Sequence, residues 1–532
     1  MVGRFAEVDL HPDVVDNHSM GLIFEDLIRR FSEQSNETAG EHFTPREVIR
    51  LMVELLFTED HDALTRKGVV KSLYDPACGT GGMLGVAEEH LRELNPDATL
   101  VVYGQELNDE SFAICKADMM IKGQTPENIV RGNSFSEDGH AGRTFDYMLS
   151  NPPFGVEWKK VEKVIRDEHE KLGFAGRFGA GLPRISDGSL LFLQHMVSKM
   201  KGPQDGGSRL AIVFNGSPLF TGDAGSGESE IRRWLIERDW LEAIVALPDQ
   251  LFFNTGISTY IWIVSNKKEE RCKGKVQLIN AVDLFEKMRK SLGDKRKMLG
   301  VGDIEWIVKT YGAFEEEEGS KIFPNEAFGF QKITVERPLR LNFEASEERI
   351  SRLETERAFE ALGKSKKKGA AGLAEIAEGE ALQAGILAAL RGMGGGLSQD
   401  REAFTKKLRA AFKKADLKVP AAVMKAVLNA LSERDESAPP CLDKDGNPEA
   451  DLELRDTENV PLGESIEAYM EREVLPHVPD AWVDESKTKI GYEIPFTRHF
   501  YVYEPLRPLA VIEAEIRELE AEIQRMLGEV FA

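Results

Sequence analysis

VVKSLYDPACGTGGML, residues 69–84, is the stretch whose reading decides the fold. An apolar strand pattern ends at Asp75, a glycine-rich turn follows, and a helical pattern begins near Gly82. Gly79 and Gly81 let the backbone pass close to a ligand where a Cβ would collide. Such a turn opens a doubly wound α/β sheet, which binds nucleotides beyond the carboxyl end of its first strand. The dinucleotide pattern GxGxxG is not met, because its third glycine is missing. Outward from this turn, over residues 66–265, short apolar runs alternate with helical stretches. VVKSLY, ATLVVYG, FDYMLS, RLAIVF, LEAIVAL and STYIWIV read as strands, and the segments near 83–94, 109–121, 189–200 and 228–238 as helices. The expected fold class is α/β, with helices on both faces of the sheet.

The chain has 532 residues, of which 42% are hydrophobic, and this length predicts two to four domains. No uninterrupted apolar run approaches the ~18 residues of a membrane span, and the acidic residues near the start do not suit a signal peptide. Four widely spaced cysteines with no CxxC pair argue against a disulfide framework or a zinc site, so no metal is expected and a reducing cytoplasm fits. The formal net charge of −23 excludes a chain that grips nucleic acid through a general positive excess. Either the chain does not bind nucleic acid, or a partner supplies most of the affinity; local patches stay hidden in a net value.

Four regions are expected. Residues 1–60 form a helical segment, residues 61–343 the α/β domain, residues 344–475 a helical region with linkers such as KSKKKGAAG and RGMGGGLSQD, and residues 476–532 a helical arm. Within the first, 17–57 has helical spacing, with Pro45 in a first turn and Thr44 as N-cap. GFAGRFGAGLPR (173–184) and GDAGSG (222–227) read as mobile surface loops; the second is not a phosphate loop, since Glu228 stands where a lysine is needed. In the arm, Leu509, Ile512, Ile516, Leu519, Ile523, Met526 and Val530 alternate spacings of three and four. That seam suits a coiled coil with another subunit and, equally, a helix packed on its own domain.

The whole string DPACGTGG resembles motif I of the S-adenosylmethionine-dependent amino-methyltransferases of DNA. The resemblance implies a Rossmann-like class I methyltransferase sheet, with Asp75, Ala77, Gly79, Thr80 and Gly81 around the methionine part of S-adenosylmethionine. Gly81→Asp is expected to place a charged side chain in that pocket. Glu106, at the end of the second strand, would accept the ribose hydroxyls. Asn133, in RGNSF, stands where the family often has an acid and would bond the cofactor's adenine. HFTP, His42 to Pro45, resembles the family's motif X; from the residues alone it reads as a simple helix start.

SNPPFG, residues 150–155, follows the strand pattern FDYML directly. By itself it reads as a proline turn, but it matches the family's [DNS]PP[FYW] motif in full. Adenine N6 is a poor nucleophile because its lone pair is delocalised into the ring. Acceptors on its two N–H groups hold that lone pair toward the methyl group: the Asn151 side-chain oxygen and the Pro152 carbonyl. Pro152 and Pro153 stiffen the loop, and Phe154 would stack on a base flipped from the duplex.

NPP[FY] is also found in enzymes that methylate glutamine side chains or guanine N2, so the motif specifies the nucleophile and not the macromolecule. NETAGEHFTPREVIRLMV, SDGSLLFLQHM, VFNGSPLFTG, ALPDQLFFNTGISTYIW, ITVERPLRLNF and IPFTRHFYVYEP extend the likeness over nearly the whole chain. Together they resemble the modification subunit of type I restriction-modification systems. What this implies is N6-adenine methylation of double-stranded DNA, with recognition delegated to a specificity subunit, and with a second modification subunit and a restriction subunit as further partners. Members of the family it resembles usually carry a helical domain before HFTP, so the short stretch ahead of it here reads as a truncated or alternatively started form. The alternatives are a protein-glutamine or RNA methyltransferase, or a non-catalytic subunit that keeps the cofactor as a structural ligand.

Overall fold

The computed structural model describes residues 44–60, 64–253, 255–503 and 508–531. These fall into two compact units, one drawn from Met1–Gly329 and Gly491–Ala532, the other from Phe330–Ile490. The larger unit is built on a nine-stranded sheet. In chain order its strands are β1 Val70–Asp75, β2 Thr99–Glu106, β3 Ile129–Arg131, β4 Tyr147–Ser150, β5 Arg209–Asn215, β6 Leu241–Ala246, β7 Thr259–Ser265, β8 Lys275–Asn280 and β9 Ser320–Pro324. Their order across the sheet is β9-β8-β6-β7-β5-β4-β1-β2-β3. The strands from β3 to β5 are parallel, β7 is antiparallel to both of its neighbours, and β9 is antiparallel to β8.

All six strand expectations correspond to strands in this sheet. The short β3 and the outer β8 and β9 carry too few apolar residues in a row to stand out. RLAIVF, LEAIVA and TYIWIVS are continuous apolar runs, and in the structure these strands are buried throughout, as in a sheet covered on both faces. The covering helices include α1 Arg46–Thr58, α2 Gly82–Leu94, α3 Asp109–Ile121, α4 Glu162–Leu172, α5 Ser189–Ser198, α6 Gly227–Glu237 and α7 Val301–Ala313. Helix α1 buries Val48, Met52, Leu55 and Leu56 in the same core as β1, β5 and α7.

Three sequence expectations are corrected. Thr44 does not cap α1: Pro45 is the N-cap, no side chain caps the helix, and the Thr44 hydroxyl is used elsewhere. The glycine-rich stretch 173–184 is not a loose loop. Phe178 within it is fully buried, Gln194 Nε2 donates to the Gly181 carbonyl, and a Cβ on Gly227 would lie 1.8 Å from the Leu182 carbonyl oxygen. GDAGSG is likewise ordered, because Ser226 caps α6 by accepting the Ser229 amide.

The remaining part of the tail splits in two. Residues 491–500 return to the larger unit: the Tyr492 carbonyl accepts from Arg232 Nε at 2.6 Å, and the Ile494 amide donates to the Leu219 carbonyl. The smaller unit contains β10 Gly329–Glu336 paired antiparallel with β11 Asp456–Pro461, and the helices α8 Ala370–Arg391, α9 Arg401–Lys414 and α10 Ala421–Ala430. Last in the chain is α11, Leu509–Phe531. Its seam residues Leu509, Ile512, Ile516, Leu519, Ile523 and Met526 are 36–71% exposed, so the stripe is not packed on its own unit; the Val530 side chain is outside the described residues.

Candidate active site

The sheet order reverses at β1, with β2 on one side and β4 on the other, and in sheets of this kind ligands bind outside the carboxyl ends of the strands at such a point, here β1 and β4. Both motifs lie there. Gly79 has φ +54° and Gly81 φ +89°, backbone that disfavours any side chain. The two glycines differ in surroundings. A Cβ on Gly79 meets nothing within 4 Å, whereas one on Gly81 would sit 2.9 Å from Cys115 Sγ in the core beneath the turn. Gly79 is therefore the glycine with open space beside it. The expectation that a carboxylate at position 81 would enter the pocket is corrected: it would be driven into α3.

Glu106, at the tip of β2, accepts the Gly79 amide on Oε2 at 2.8 Å and the Asn108 amide on Oε1 at 2.7 Å. Each carboxylate oxygen has a second lone pair, so the group both fixes the turn and keeps acceptor capacity for a ribose diol. Asn133 Oδ1 accepts the Phe135 amide at 2.9 Å, which leaves its Nδ2 as the end available to an adenine ring nitrogen. His42 and Phe43 lie outside the described residues. Thr80 and Ala77 line the half-buried outer side of the turn.

Asp75 is 1% exposed and joins the two strand tips. Its Oδ1 accepts the Ala77 amide at 2.9 Å and the Ser150 hydroxyl at 3.0 Å, so the β1 turn and the NPPF loop are held together directly. Burial pushes its carboxyl up to about 7, against these two hydrogen bonds, which pull it down. The native protein therefore holds a proton that the unfolded chain releases above its usual value near 3.8. This contribution to stability is full below that value and is lost as pH rises through about 7. Asp75→Asn is expected to flatten that segment of a stability-against-pH curve measured by denaturant unfolding; an unchanged slope would contradict the assignment.

Asn151 is 8% exposed. Its Nδ2 donates to Thr44 Oγ1 at 2.9 Å, a bond spanning 107 residues that ties the side chain to the start of α1. Its Oδ1 is buried and has no hydrogen-bond partner. A buried acceptor left unpaired costs roughly 1–3 kcal/mol, and this one belongs to the residue after Ser150, whose hydroxyl bonds Asp75 at the base of the glycine turn. Pro152 is buried, Pro153 half-buried, and Phe154 packs at the edge of the main core.

Behind the site lies a network that residue spacing did not reveal. Arg177 donates to the Ser134 and Phe135 carbonyls, both at 2.7 Å, pairs with Glu168, and donates to His195 Nδ1 at 3.2 Å. Because Arg177 is the donor there, the His195 proton sits on Nε2 and is given to the Tyr74 oxygen, 3.0 Å away. Burial and the neighbouring guanidinium hold His195 down to about 3, so it stays neutral. The Ser134 hydroxyl in turn donates to the Pro76 carbonyl. Arg177→Ala is expected to cost ~1.5–3 kcal/mol, the range for hydrogen bonds to a charged group, read by denaturant unfolding; unchanged stability would show that the guanidinium contributes nothing. Cys78 and Cys115, 37 residues apart, meet with their sulfurs 3.9 Å from one another beneath the turn.

A sheet reversing at β1, with a glycine turn, an acid at the β2 tip and NPPF at the β4 tip, defines a class I methyltransferase. Residues 15–332 match the N-6 DNA methylase family, and the chain belongs to it. The type I restriction enzyme MjaIX methylase subunit of Methanocaldococcus jannaschii is 30% identical over 63% of this chain and 56% of its own length. The HindI methylase subunit of Haemophilus influenzae is 28% identical over 56% of this chain and 61% of its own length. The crystal structure of a type I restriction-modification methyltransferase subunit from Streptococcus thermophilus superposes with a TM-score of 0.50 at 27% identity, over 61% of this chain and 63% of that one. The chain thus spans under two thirds of the length of these relatives. S-adenosylmethionine is the cofactor that the family and fold imply, and the open Gly79 turn, Glu106 and Asn133 fit it.

Proposed function

We propose that this chain transfers a methyl group from S-adenosylmethionine to N6 of adenine in double-stranded DNA, as the modification subunit of a type I restriction-modification complex. The observation that carries this reading is the buried, unpartnered Asn151 Oδ1, on a side chain held by Thr44 and tied through Ser150 and Asp75 to the glycine turn. When bound, the cofactor supplies a methyl group activated on a sulfonium. Asn151 Oδ1 and the Pro152 carbonyl accept the two N6 hydrogens and orient the nitrogen lone pair along the line of transfer. The same acceptors stabilise the positive charge that develops on N6, and their preorganisation avoids the cost of turning solvent dipoles. Phe154 stacks on the extruded base. The relatives' names as type I methylase subunits support the DNA substrate. The exposed seam of α11 supports docking to a specificity subunit, with a second modification subunit and a restriction subunit completing the assembly.

The test is transfer of a labelled methyl group by this chain, assembled with its specificity subunit, onto DNA, RNA and protein in parallel. Label in DNA recovered as N6-methyladenine is the expected result. Label in RNA or in glutamine instead would replace this reading, and cofactor binding with no transfer to any of the three would mark a non-catalytic subunit.

A further inference from the structure

We propose that the solvent face of α9, in the smaller unit, is a binding surface for the phosphate backbone of duplex DNA; this rests on the reading that the chain acts on DNA. Phe404, Leu408 and Phe412 recur every fourth residue and are buried against Phe343, Ile386 and Leu390, which fixes the rotation of the helix. At 100° per residue the opposite arc carries Lys406, Lys407, Arg409, Ala410, Lys413 and Lys414, all exposed. Beyond the first turn that arc holds no acid. Lys418 and Lys425 continue the run, so residues 401–425 contain eight Lys and Arg against Glu402 and Asp416, in a chain of 91 acidic and 68 basic residues.

The charges are also left unneutralised. Lys406 lies 3.8 Å from Glu402, but Lys407, Arg409, Lys413, Lys414 and Lys418 have no ion-pair partner among the described residues. Elsewhere in the same unit exposed arginines are paired, Arg434 with Asp451 and Glu453, and Arg472 with Glu464. The helix dipole accounts for Lys413 and Lys414 in the last turn and not for Lys406, Lys407 or Arg409. A groove of about 400 Å³ at the end of α9 is lined by Arg409, Phe412, Lys413, Asp416, Leu417 and Lys418 among others.

The chemistry of the face selects its partner. The exposed cations are five lysines and Arg409, and lysine ammonium groups act as point charges for phosphate oxygens. Single strands are bound by stacking on exposed aromatic rings, and the two aromatic residues of α9 point inward. A helix of this length presents its charges over ~21 Å, enough to meet several phosphates of one duplex. The acidic balance of the whole chain hides this patch.

The test compares the assembled wild-type enzyme with K406Q/K407Q/R409Q/K413Q/K414Q/K418Q in duplex binding between about 50 and 200 mM salt. Each phosphate contact contributes ~0.9 to the slope of log K against log salt. The slope is expected to fall by about 2–4, with weaker binding at every salt concentration and kcat at saturating DNA unchanged. Replacing the five lysines by arginine is expected to retain the slope. Should the sixfold variant misfold, K406Q/K407Q and K413Q/K414Q each give a smaller fall in the same quantity. An unchanged slope in folded variants overturns the proposal, and so does a loss of specificity-subunit association with the slope intact, which would make the face a site for an acidic protein. Methyl transfer to DNA by wild type with an unchanged slope in the variants leaves the proposed function standing. A salt-dependent slope that falls in the variants, with no transfer by wild type, sinks the function and not the surface.

Discussion

Asn151→Ala is expected to lower kcat for methyl transfer by about 10²–10³ or more, the loss typical when one preorganised hydrogen-bonding group is removed from an active site. The variant lacks the buried, unpartnered acceptor Oδ1 and the bond that holds it to Thr44. Cofactor affinity should change little, because the glycine turn is held by Glu106 and Asp75 and not by Asn151. Asn151→Asp keeps an acceptor oxygen and lets the Thr44 hydroxyl donate in place of the amide, so it should retain more activity than the alanine variant. The measurement is single-turnover methyl transfer alongside calorimetric cofactor binding. Wild-type turnover by Asn151→Ala would remove the side chain from the chemistry.

Gly81→Asp is expected to destabilise the larger unit by at least ~3 kcal/mol. Left-handed backbone costs a non-glycine residue ~1–2 kcal/mol. The new side chain also meets Cys115 Sγ at 2.9 Å and Met119 Cε at 3.5 Å, surroundings in which burying a carboxylate is costly. At ~2–4 °C per kcal/mol for a domain of this size, thermal unfolding should shift down by roughly 6–12 °C. Gly79→Asp should behave in the opposite manner: a Cβ there enters open space beside Glu106, so the carboxylate blocks the cofactor while costing less stability. A Gly81→Asp protein with unaltered melting and no cofactor binding would show that its side chain enters the pocket after all.

Much of the site was legible because its chemistry is local. DPACGTGG and NPPF are short, and each is a strand tip with its turn, so spacing along the chain reports their geometry. Arg177 and His195 gave no such signal. One lies in a glycine-rich stretch that reads as loose, the other on an apolar helix where a histidine is unremarkable. Their partners come from two other parts of the chain, Ser134 and Phe135 from the turn after β3 and Tyr74 from β1. Thr44 was assigned to the site on resemblance alone and, from its own neighbours, to a helix cap. The structure makes it the partner of Asn151, since Pro45 takes the cap position.

By itself the amino-acid sequence determined the alternation of strands and helices and the two motif-bearing turns; the nucleophile we propose came from the likeness of NPPF to a family motif. These follow from apolar periodicity and from residue types that few backbones tolerate. Tertiary structure alone decided which oxygen of the site is left unpaired, which of two neighbouring glycines has open space beside it, and that a lysine-rich helix presents its charges on one side. Each of these depends on what another part of the chain places within 3–4 Å or on which face of an element is covered, and distance along the sequence carries no information about that.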